Sequence, residues 1–375
     1  MNKFINLTFS IFLVVCNVIY ANDRSLPNIK LALVGPLNGI YSAYGTQVLS
    51  GAVRAANDIN AAGGIKGLQI EIVPFDDQCN PDLAIKQAEE IVKNGSFNAV
   101  IGHVCSAATL AVSNIYARAN ILLITPTATN DKITERSIST LFRMSGTDQQ
   151  QSSVAANFIA KRLKSKRVAI LHDQDLYSKD LADTVSEKLL QQEVVPILYQ
   201  GIARGTRNFT SIIKKLKSLN ADAIYFAGLY PEVGHLAKTL NVLQLQIPLI
   251  TSDGAAVNKF INVVGNADNT NSIIITFSDN PQDLVSSKTV INAMRNDNLE
   301  TIGYVLYAYA AVQVIAKAID NTNTTDNVTL ANWLHQHEVD TVLGKKSWDT
   351  NGNIIDSKFN ACILQGENNL VSLSK

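Results

Sequence analysis

Residues 29–64 read IKLALVGPLNGIYSAYGTQVLSGAVRAANDINAAGG, and this stretch decides the class of fold. The apolar run at 29–34 ends at Gly35-Pro36, which predicts a buried strand followed by a turn. Residues 44–62 then carry apolar side chains at helical spacing, and Gly63-Gly64 ends that helix. A strand followed by such a helix predicts one βα unit of a parallel sheet.

The same order of strand and helix recurs along the chain. In the first series, strands are predicted at 68–75, 99–102 and 121–125, and helices at 81–94 and 106–119. A second series has strands at 167–171, 194–199, 223–226 and 249–251, and helices at 176–191, 209–219 and 231–241. The pattern predicts an α/β fold with two doubly wound parallel sheets, each covered by helices on both faces. Ligands of such sheets bind beyond the carboxyl ends of the strands, which places a site in the cleft between the two lobes.

Length and composition agree with two folded lobes. A chain of 375 residues exceeds one ordinary core. Hydrophobic residues make up 46% and charged residues 17%, so large cores can be buried. Basic and acidic residues balance at 32 each, which leaves no net positive charge for phosphates and argues against a nucleic-acid partner.

The N-terminal segment predicts export. Lys3 is followed by an apolar stretch at 4–20, and Ala21 supplies a small residue at its end, as in a signal peptide spanning 1–21. A membrane anchor is the first alternative, although four polar residues interrupt the stretch. A lipid anchor on Cys16 is the second, although Val15, which is not small, precedes that cysteine.

The cysteine count leaves a pairing open. Once the N-terminal segment is removed, Cys79, Cys105 and Cys362 remain. One pair can form in an oxidising compartment, and the residues alone do not say which pair. Three buried thiols are the alternative.

The motifs of common enzymes are missing from the sequence. The glycine-rich stretch 63–67 follows a helix and precedes a strand, the reverse of a phosphate-binding loop. His335 and His337, expected on a helix, lack the spacing of a zinc pair, and there is no Gly-x-Ser-x-Gly elbow. His103 and Cys105 resemble a thiol–imidazole pair, but a disulfide at Cys105 would exclude a nucleophile. We therefore expect no catalytic residue, no metal and no cofactor.

Polar loops at strand ends are the better candidates. Ser106, predicted as the N-cap of its helix, would present a hydroxyl and free amides that suit a carboxylate. Hydroxyls follow the next strand at 125–129, and Asp253 follows a strand of the second lobe. Together these groups complement a zwitterionic amino acid, and Tyr44 and Tyr177 could enclose its apolar side chain. A helix cap, ordinary turns and packing tyrosines are the simpler explanations of each feature taken alone.

An ordered series of short stretches resembles a known family. The stretches are AAGGIKG (61–67), DDQC (76–79), IGHVCS (101–106), ITPTAT (124–129), YPEVG (230–234) and SWDTNG (347–352). Over nearly all of its mature length the chain is similar to the bacterial branched-chain amino-acid-binding proteins of ABC transport systems. The resemblance implies a type I periplasmic binding-protein fold, with two doubly wound lobes joined by three crossings. It implies a Cys79–Cys105 disulfide, a first lobe of 27–147 with 276–355, and a second lobe of 148–275 with 356–375.

The resemblance also implies site residues. By position, Ser106, Thr127 and Thr129 hold the ligand carboxylate and ammonium, and Asp253 stands where the family has a Glu against the ammonium. The residues implied for the side-chain pocket are Tyr44, Val104, Cys105, Tyr177 and Tyr304. Two departures affect that pocket: Leu229 replaces a frequent aromatic, and Asp253 is one methylene shorter than Glu.

The implied function is that of a periplasmic receptor and not an enzyme. Such a receptor closes over a small apolar L-amino acid of the leucine, isoleucine and valine class and delivers it to an ABC permease in the inner membrane. A monomer is the expected state. The alternative is a sensor of the same fold that binds an amide, a urea derivative or an aromatic acid.

Overall fold

The computed structural model describes residues 28–265, 273–366 and 369–373. The signal peptide expected at 1–21 and the alternative lipid anchor on Cys16 lie outside these residues. Within these ranges, no helix combines the length and the apolar character needed to cross a membrane.

The first lobe is built around a five-stranded sheet in the order β2-β1-β3-β4-β5, with every pair parallel. Its strands are β1 (Ile29–Gly35), β2 (Ile70–Asp76), β3 (Ala99–Ile101), β4 (Leu123–Thr125) and β5 (Leu141–Arg143). The helices of this part of the chain are α1 (Ser42–Ala61), α2 (Pro81–Asn94) and α3 (Ser106–Arg118). Alternate residues of β1 face opposite sides, so Leu31 and Leu33 join one core while Ala32 and Val34 join the other.

The second lobe contains a seven-stranded sheet in the order β14-β13-β10-β9-β8-β6-β7. Its strands are β6 (Val168–His172), β7 (Leu198–Gly201), β8 (Ala223–Ala227), β9 (Leu249–Thr251), β10 (Ile273–Ser278), β13 (Phe359–Leu364) and β14 (Leu370–Ser372). Its helices are α4 (Asp148–Asn157), α5 (Leu176–Leu190), α6 (Thr210–Ser218), α7 (Tyr230–Val242) and α8 (Asn258–Val264). Strands β6 to β10 are parallel, as the sequence pattern predicts, whereas β13 and β14 add an antiparallel edge that the pattern does not reveal.

The chain passes between the lobes three times: after β5, after β10 and before β13. Between the last two crossings it forms α9 (Lys288–Asn296), α10 (Val305–Thr322), α11 (Asn327–Leu334) and the hairpin β11 (Val339–Thr341) and β12 (Gly344–Lys346). Helix α10 packs along α1 and so returns the chain to the first lobe. Strand β10 pairs with β13 through Ser278, so residues 276–278 belong to the second sheet, beyond the boundary expected at 275.

Two local expectations were wrong. The strand predicted at 194–199 begins at Leu198, because Val195 faces solvent and Pro196 has no amide proton to donate to a neighbouring strand. His335 and His337 do not share a helix, since α11 ends at Leu334.

Candidate ligand-binding site

A cavity lies between the lobes, at the carboxyl ends of β3, β4, β6, β8 and β9. It encloses about 460 Å³ of empty space up to its mouth. The lining residues are Tyr44, Val104, Cys105, Ser106, Thr127, Thr129, Asp175, Tyr177, Arg204, Leu229, Asp253, Gly254 and Tyr304. All ten residues that the sequence suggested for the ligand therefore surround one space. Asp175, Arg204 and Gly254 are additions.

Two loops of the first lobe line the cavity, and the first ligand loop, residues 102–105, runs from β3 into α3. Helix α3 begins at Ser106, and Cys105 occupies the N-cap position without a side-chain hydrogen bond to the helix. The expectation that Ser106 is the N-cap is therefore wrong by one position. The buried Ser106 side chain makes no hydrogen bond to the part of the chain that the structure describes, and Ser106 lines the cavity at the end of α3 where the first helix amides have no helical partner.

A disulfide and buried hydrogen bonds hold this loop in place on the side away from the cavity. A Cys79–Cys105 disulfide ties it to the end of β2. His103 Nδ1 lies 2.8 Å from Asp77 Oδ2, and its Nε2 lies 3.2 Å from the Tyr116 hydroxyl. The imidazole and both partners are buried, so His103 supports the loop and does not face the cavity. With Cys105 in a disulfide, the thiol–imidazole pair considered above does not exist.

The second ligand loop follows β4 and packs against the first. Thr127 Oγ1 donates to the Val104 carbonyl at 2.6 Å, which leaves lone pairs on that hydroxyl to accept a hydrogen bond. The buried Arg143 guanidinium holds the loop by donating to the carbonyls of Ala128 and Asn130 at 3.1 and 3.0 Å. Burial lowers the pKa of Arg143 to about 10, so it remains a cation at neutral pH.

A cluster of buried side-chain oxygen atoms lies around Thr129. Thr129 Oγ1, both carboxyl oxygens of Asp148 and Gln151 Oε1 are all buried, and the Thr129 hydroxyl lies close enough to Asp148 to act on the pKa of that carboxyl, in the lowering direction. Burial, reinforced by the charge of nearby Asp253, holds the pKa of Asp148 well above its ordinary value. Thr129 lines the cavity, whereas Asp148 and Gln151 are not among its lining residues, so these buried oxygens lie behind the wall that Thr129 forms.

Asp253 is one of two carboxyl groups of the second lobe that line the cavity, the other being Asp175. Tyr177 donates to Oδ1 at 2.5 Å, Gln151 donates to Oδ1 at 2.7 Å, and Tyr304 donates to Oδ2. Burial raises the pKa of Asp253, while these three donors act in the opposite direction. The pKa values of both tyrosines are raised well above 10 by burial, so they are neutral donors at physiological pH.

Tyr44 and Leu229 both line the apolar part of the cavity, and Tyr44 also joins the two lobes. The Tyr44 hydroxyl donates to the Gly254 carbonyl and accepts from the Tyr230 amide at 2.9 Å. The Tyr44 and Tyr230 rings meet edge to face with centroids 5.5 Å apart. Because Tyr44 belongs to the first lobe and the other residues to the second, these contacts hold the cleft closed.

Gly254 is needed for this close approach. A Cβ atom there would lie 2.5 Å from the Gly228 carbonyl oxygen, so a larger residue would displace the strand end next to Asp253. The sequence pattern singled out Asp253 at this strand end and gave no role to the glycine that follows it.

Asp175 and Arg204 were missed by the sequence analysis. Asp175 is the N-cap of α5, where its Oδ1 accepts from the Tyr177 amide at 3.2 Å. Arg204 lies in the loop after β7, and its Nη2 is 3.0 Å from Asp175 Oδ2. Both positions follow strands at the ligand-binding edge of a parallel sheet, and that position was the signal that could have identified them.

The comparisons with known proteins agree with this architecture. Residues 28–364 match the family model described as "Periplasmic binding protein". An amino acid binding protein of Pseudomonas aeruginosa is 36% identical, covering 92% of this chain and 93% of that protein. The Leu/Ile/Val-binding protein of Escherichia coli K12 is 32% identical, covering 91% and 92%.

Solved structures show the same fold. The branched-chain amino acid transporter substrate-binding protein LivJ of Streptococcus pneumoniae, in complex with isoleucine, superposes with a TM-score of 0.82 at 24% identity. That comparison covers 93% of this chain and 100% of LivJ. The leucine-binding protein LivK of Thermotoga maritima gives 0.83 at 23% identity, covering 92% and 98%. This chain belongs to the periplasmic binding protein family and has its type I fold.

Proposed function

We propose that this protein is a solute-binding receptor that captures a small apolar L-amino acid of the leucine, isoleucine and valine class. One observation carries the proposal: free helix amides and Ser106 stand on one side of a closed cleft, and the buried Asp253 on the other. The amides and hydroxyl complement a carboxylate, and Asp253 complements an ammonium.

The remaining walls favour an apolar side chain. Val104 and Leu229 are 7% and 8% exposed, and the Tyr44 ring lies beside them in the lining. One methylene of ligand size is worth about 1–3 kcal/mol in an apolar pocket, so leucine and isoleucine, which are isomers, should bind with comparable affinities and valine about tenfold or more weakly. The relatives named for these three amino acids support this class of ligand.

We infer export to the periplasm, with cleavage of the N-terminal segment near Ala21, and delivery of the ligand to an inner-membrane ABC permease. The basis is the apolar N-terminal segment, the disulfide and the family. Delivery requires only that the closed cleft be recognised, so the receptor acts as a monomer and performs no chemistry on its ligand.

Isothermal titration calorimetry on the chain from residue 22 tests the proposal. We expect leucine, isoleucine and valine to bind with Kd values on the order of micromolar or tighter. Leucinamide lacks the carboxylate and 4-methylpentanoate lacks the ammonium, so both should bind far more weakly. No heat with any of the twenty amino acids would refute the receptor function. Tight binding of a neutral amide alone would support the sensor alternative.

Native mass spectrometry of the purified protein gives an independent check. A retained ligand should add the mass of one small amino acid to one chain. A retained mass matching an aromatic acid or a urea derivative would contradict the assignment.

A further inference from the structure

The cavity has a second polar end that the binding of an amino-acid head group does not use. Asp175 and Arg204 both line the cavity, and their ion pair spans 3.0 Å. The Asp175 side chain is 14% exposed and that of Arg204 is 32% exposed. A guanidinium at this position is unexpected in a pocket for purely aliphatic side chains.

This end is separate from Asp253. Asp175 Oδ1 accepts from the backbone amide of Tyr177, whereas the hydroxyl at the tip of the same tyrosine donates to Asp253. The two polar ends therefore lie one tyrosine side chain apart along the same wall. A ligand side chain that ran along Tyr177 from a head group at Asp253 would reach the Asp175–Arg204 pair.

The contacts of Arg204 leave hydrogen-bond donors for a ligand. The face of its guanidinium lies 5.1 Å from the Tyr41 ring centroid, a cation–π contact across the cleft. One edge pairs with Asp175. A guanidinium carries five N–H donors, and within the described ranges Asp175 is its only charged partner within ion-pair distance.

The surrounding charges indicate which ligand group fits. Asp173 and Glu232 also face Arg204, and each has one buried carboxyl oxygen without a hydrogen-bond partner in the described structure. A ligand carboxylate would meet these acids, and a ligand ammonium would meet Arg204. A neutral group avoids both conflicts. A carboxamide or a hydroxyl both accepts and donates, which matches a guanidinium beside a carboxylate.

We propose that Arg204 and Asp175 form a polar subsite that admits α-amino acids with a neutral side-chain carboxamide, in addition to branched aliphatic ones. The proposal rests on the proposed function, because it takes Asp253 as the ammonium partner. Aliphatic ligands are still accepted, since the exposed third of Arg204 keeps contact with water when the ligand offers no acceptor.

The test compares ligands of nearly equal shape. Calorimetry measures Kd for the pairs leucine and asparagine, and methionine and glutamine. The proteins are the wild type, Arg204→Met, Asp175→Asn and the control Arg207→Met. Arg204→Met keeps an unbranched stem, and Asp175→Asn keeps an oxygen that can cap α5. Arg207 is an exposed residue of the same loop that does not line the cavity.

We expect the wild type to bind the polar member of at least one pair, and Arg204→Met to weaken that member about tenfold, as for one hydrogen bond to a charged group. The apolar member should change less than about threefold, and Asp175→Asn should lower the ratio in the same direction. Arg207→Met should leave every ratio unchanged.

The outcomes separate the two proposals. Absence of leucine binding in the folded wild type overturns the proposed function. Leucine binding with no polar ligand bound, or with the polar-to-apolar ratio unchanged in Arg204→Met, overturns the subsite alone. Circular dichroism on each variant shows whether a loss reflects unfolding.

Discussion

The first lobe faces the cavity with hydroxyls and helix amides, whereas the second faces it with Asp253 and the Asp175–Arg204 pair. The first-lobe groups are fixed within their own lobe by a disulfide and by Arg143. The second-lobe groups are completed by contacts across the cleft, since Tyr304 and Tyr44 reach Asp253 and Gly254 from the first lobe.

This difference assigns the two surfaces distinct roles in binding. A surface fixed before the ligand arrives loses little entropy on binding and can dock the carboxylate in the open cleft. A surface assembled from both lobes forms only on closure, so it couples recognition of the ammonium to the hinge motion. First-lobe substitutions should therefore weaken docking, and second-lobe substitutions should also weaken closure.

Asp253→Asn should have the largest effect. The variant keeps the shape but removes the charge opposite the ammonium, and loss of one member of a buried charge pair costs about 4 kcal/mol, or about a thousandfold in affinity. Calorimetry with leucine measures it, and Asp340→Asn on the exposed side of β11 is the matched control. An affinity within about tenfold of the wild type would remove Asp253 from the ammonium site.

The disulfide should have the next largest effect, confined to the first lobe. Cys79 and Cys105 are 26 residues apart, and a loop of that size predicts a loss of about 3.5 kcal/mol in unfolding free energy when the bond is removed. We expect this loss in Cys79→Ser/Cys105→Ser, measured by urea unfolding. Tryptophan fluorescence follows the first lobe, because Trp348 packs on Phe142 of β5.

Reduction of the wild type should reproduce this result, since Cys362 is a free buried thiol. Equal destabilisation of both lobes, seen as coincident fluorescence and circular dichroism transitions at the lower urea concentration, would contradict the separation of the two surfaces.

The same contrast explains how far the sequence could predict the site. Strands followed by glycine, proline or a capping residue indicated the βα units and placed Ser106 and Thr127 at one sheet edge, because those signals are local. The family resemblance supplied the disulfide and most of the individual roles. Local pattern also located Asp253 at a strand end.

The contacts of Asp253 could not be predicted in this way. Gln151 lies 102 positions away in sequence, and its hydrogen bond exists only because the fold brings α4 beside β10 and the turn that follows β9. Arg204 has no local signal beyond its loop position, because an arginine in a polar loop is ordinarily solvated. The antiparallel edge formed by β13 and β14 was missed, because the sequence pattern of alternating strands and helices extended only over the earlier, parallel strands.

Ser106→Ala should have a smaller effect that separates ligand binding from helix capping. Since the Ser106 side chain makes no hydrogen bond to α3, every residue of which the structure describes, we expect about a tenfold loss of leucine affinity with an unchanged unfolding free energy. Asn80→Ala is the control with the opposite expectation, because the Asn80 side chain caps α2 by accepting hydrogen bonds from the amides of Asp82 and Leu83. It should lose about 1 kcal/mol of stability and no affinity. If Ser106→Ala lowered the unfolding free energy, Ser106 would after all be a capping residue of α3.

The smallest effect should be a pH dependence of leucine affinity that arises from carboxyl groups of the second lobe alone. Burial raises the pKa of Asp253 above its ordinary 3.8, and Asp148 lies close enough for each charge to oppose the other. In the ligand-free protein, the stability contributed by such a carboxyl is complete below its unfolded pKa and is lost as the pH rises through the raised folded value. A ligand ammonium reverses this preference, so binding should release less than one proton per ligand and weaken as the pH falls towards 3.8. Calorimetry in two buffers of different ionisation enthalpy measures the release. Release that persists in Asp253→Asn but disappears in Asp148→Asn would transfer the ammonium partner to the Asp148 carboxyl behind Thr129. The second lobe would then meet the ligand head group through α4, next to the first crossing, and not through the end of β9.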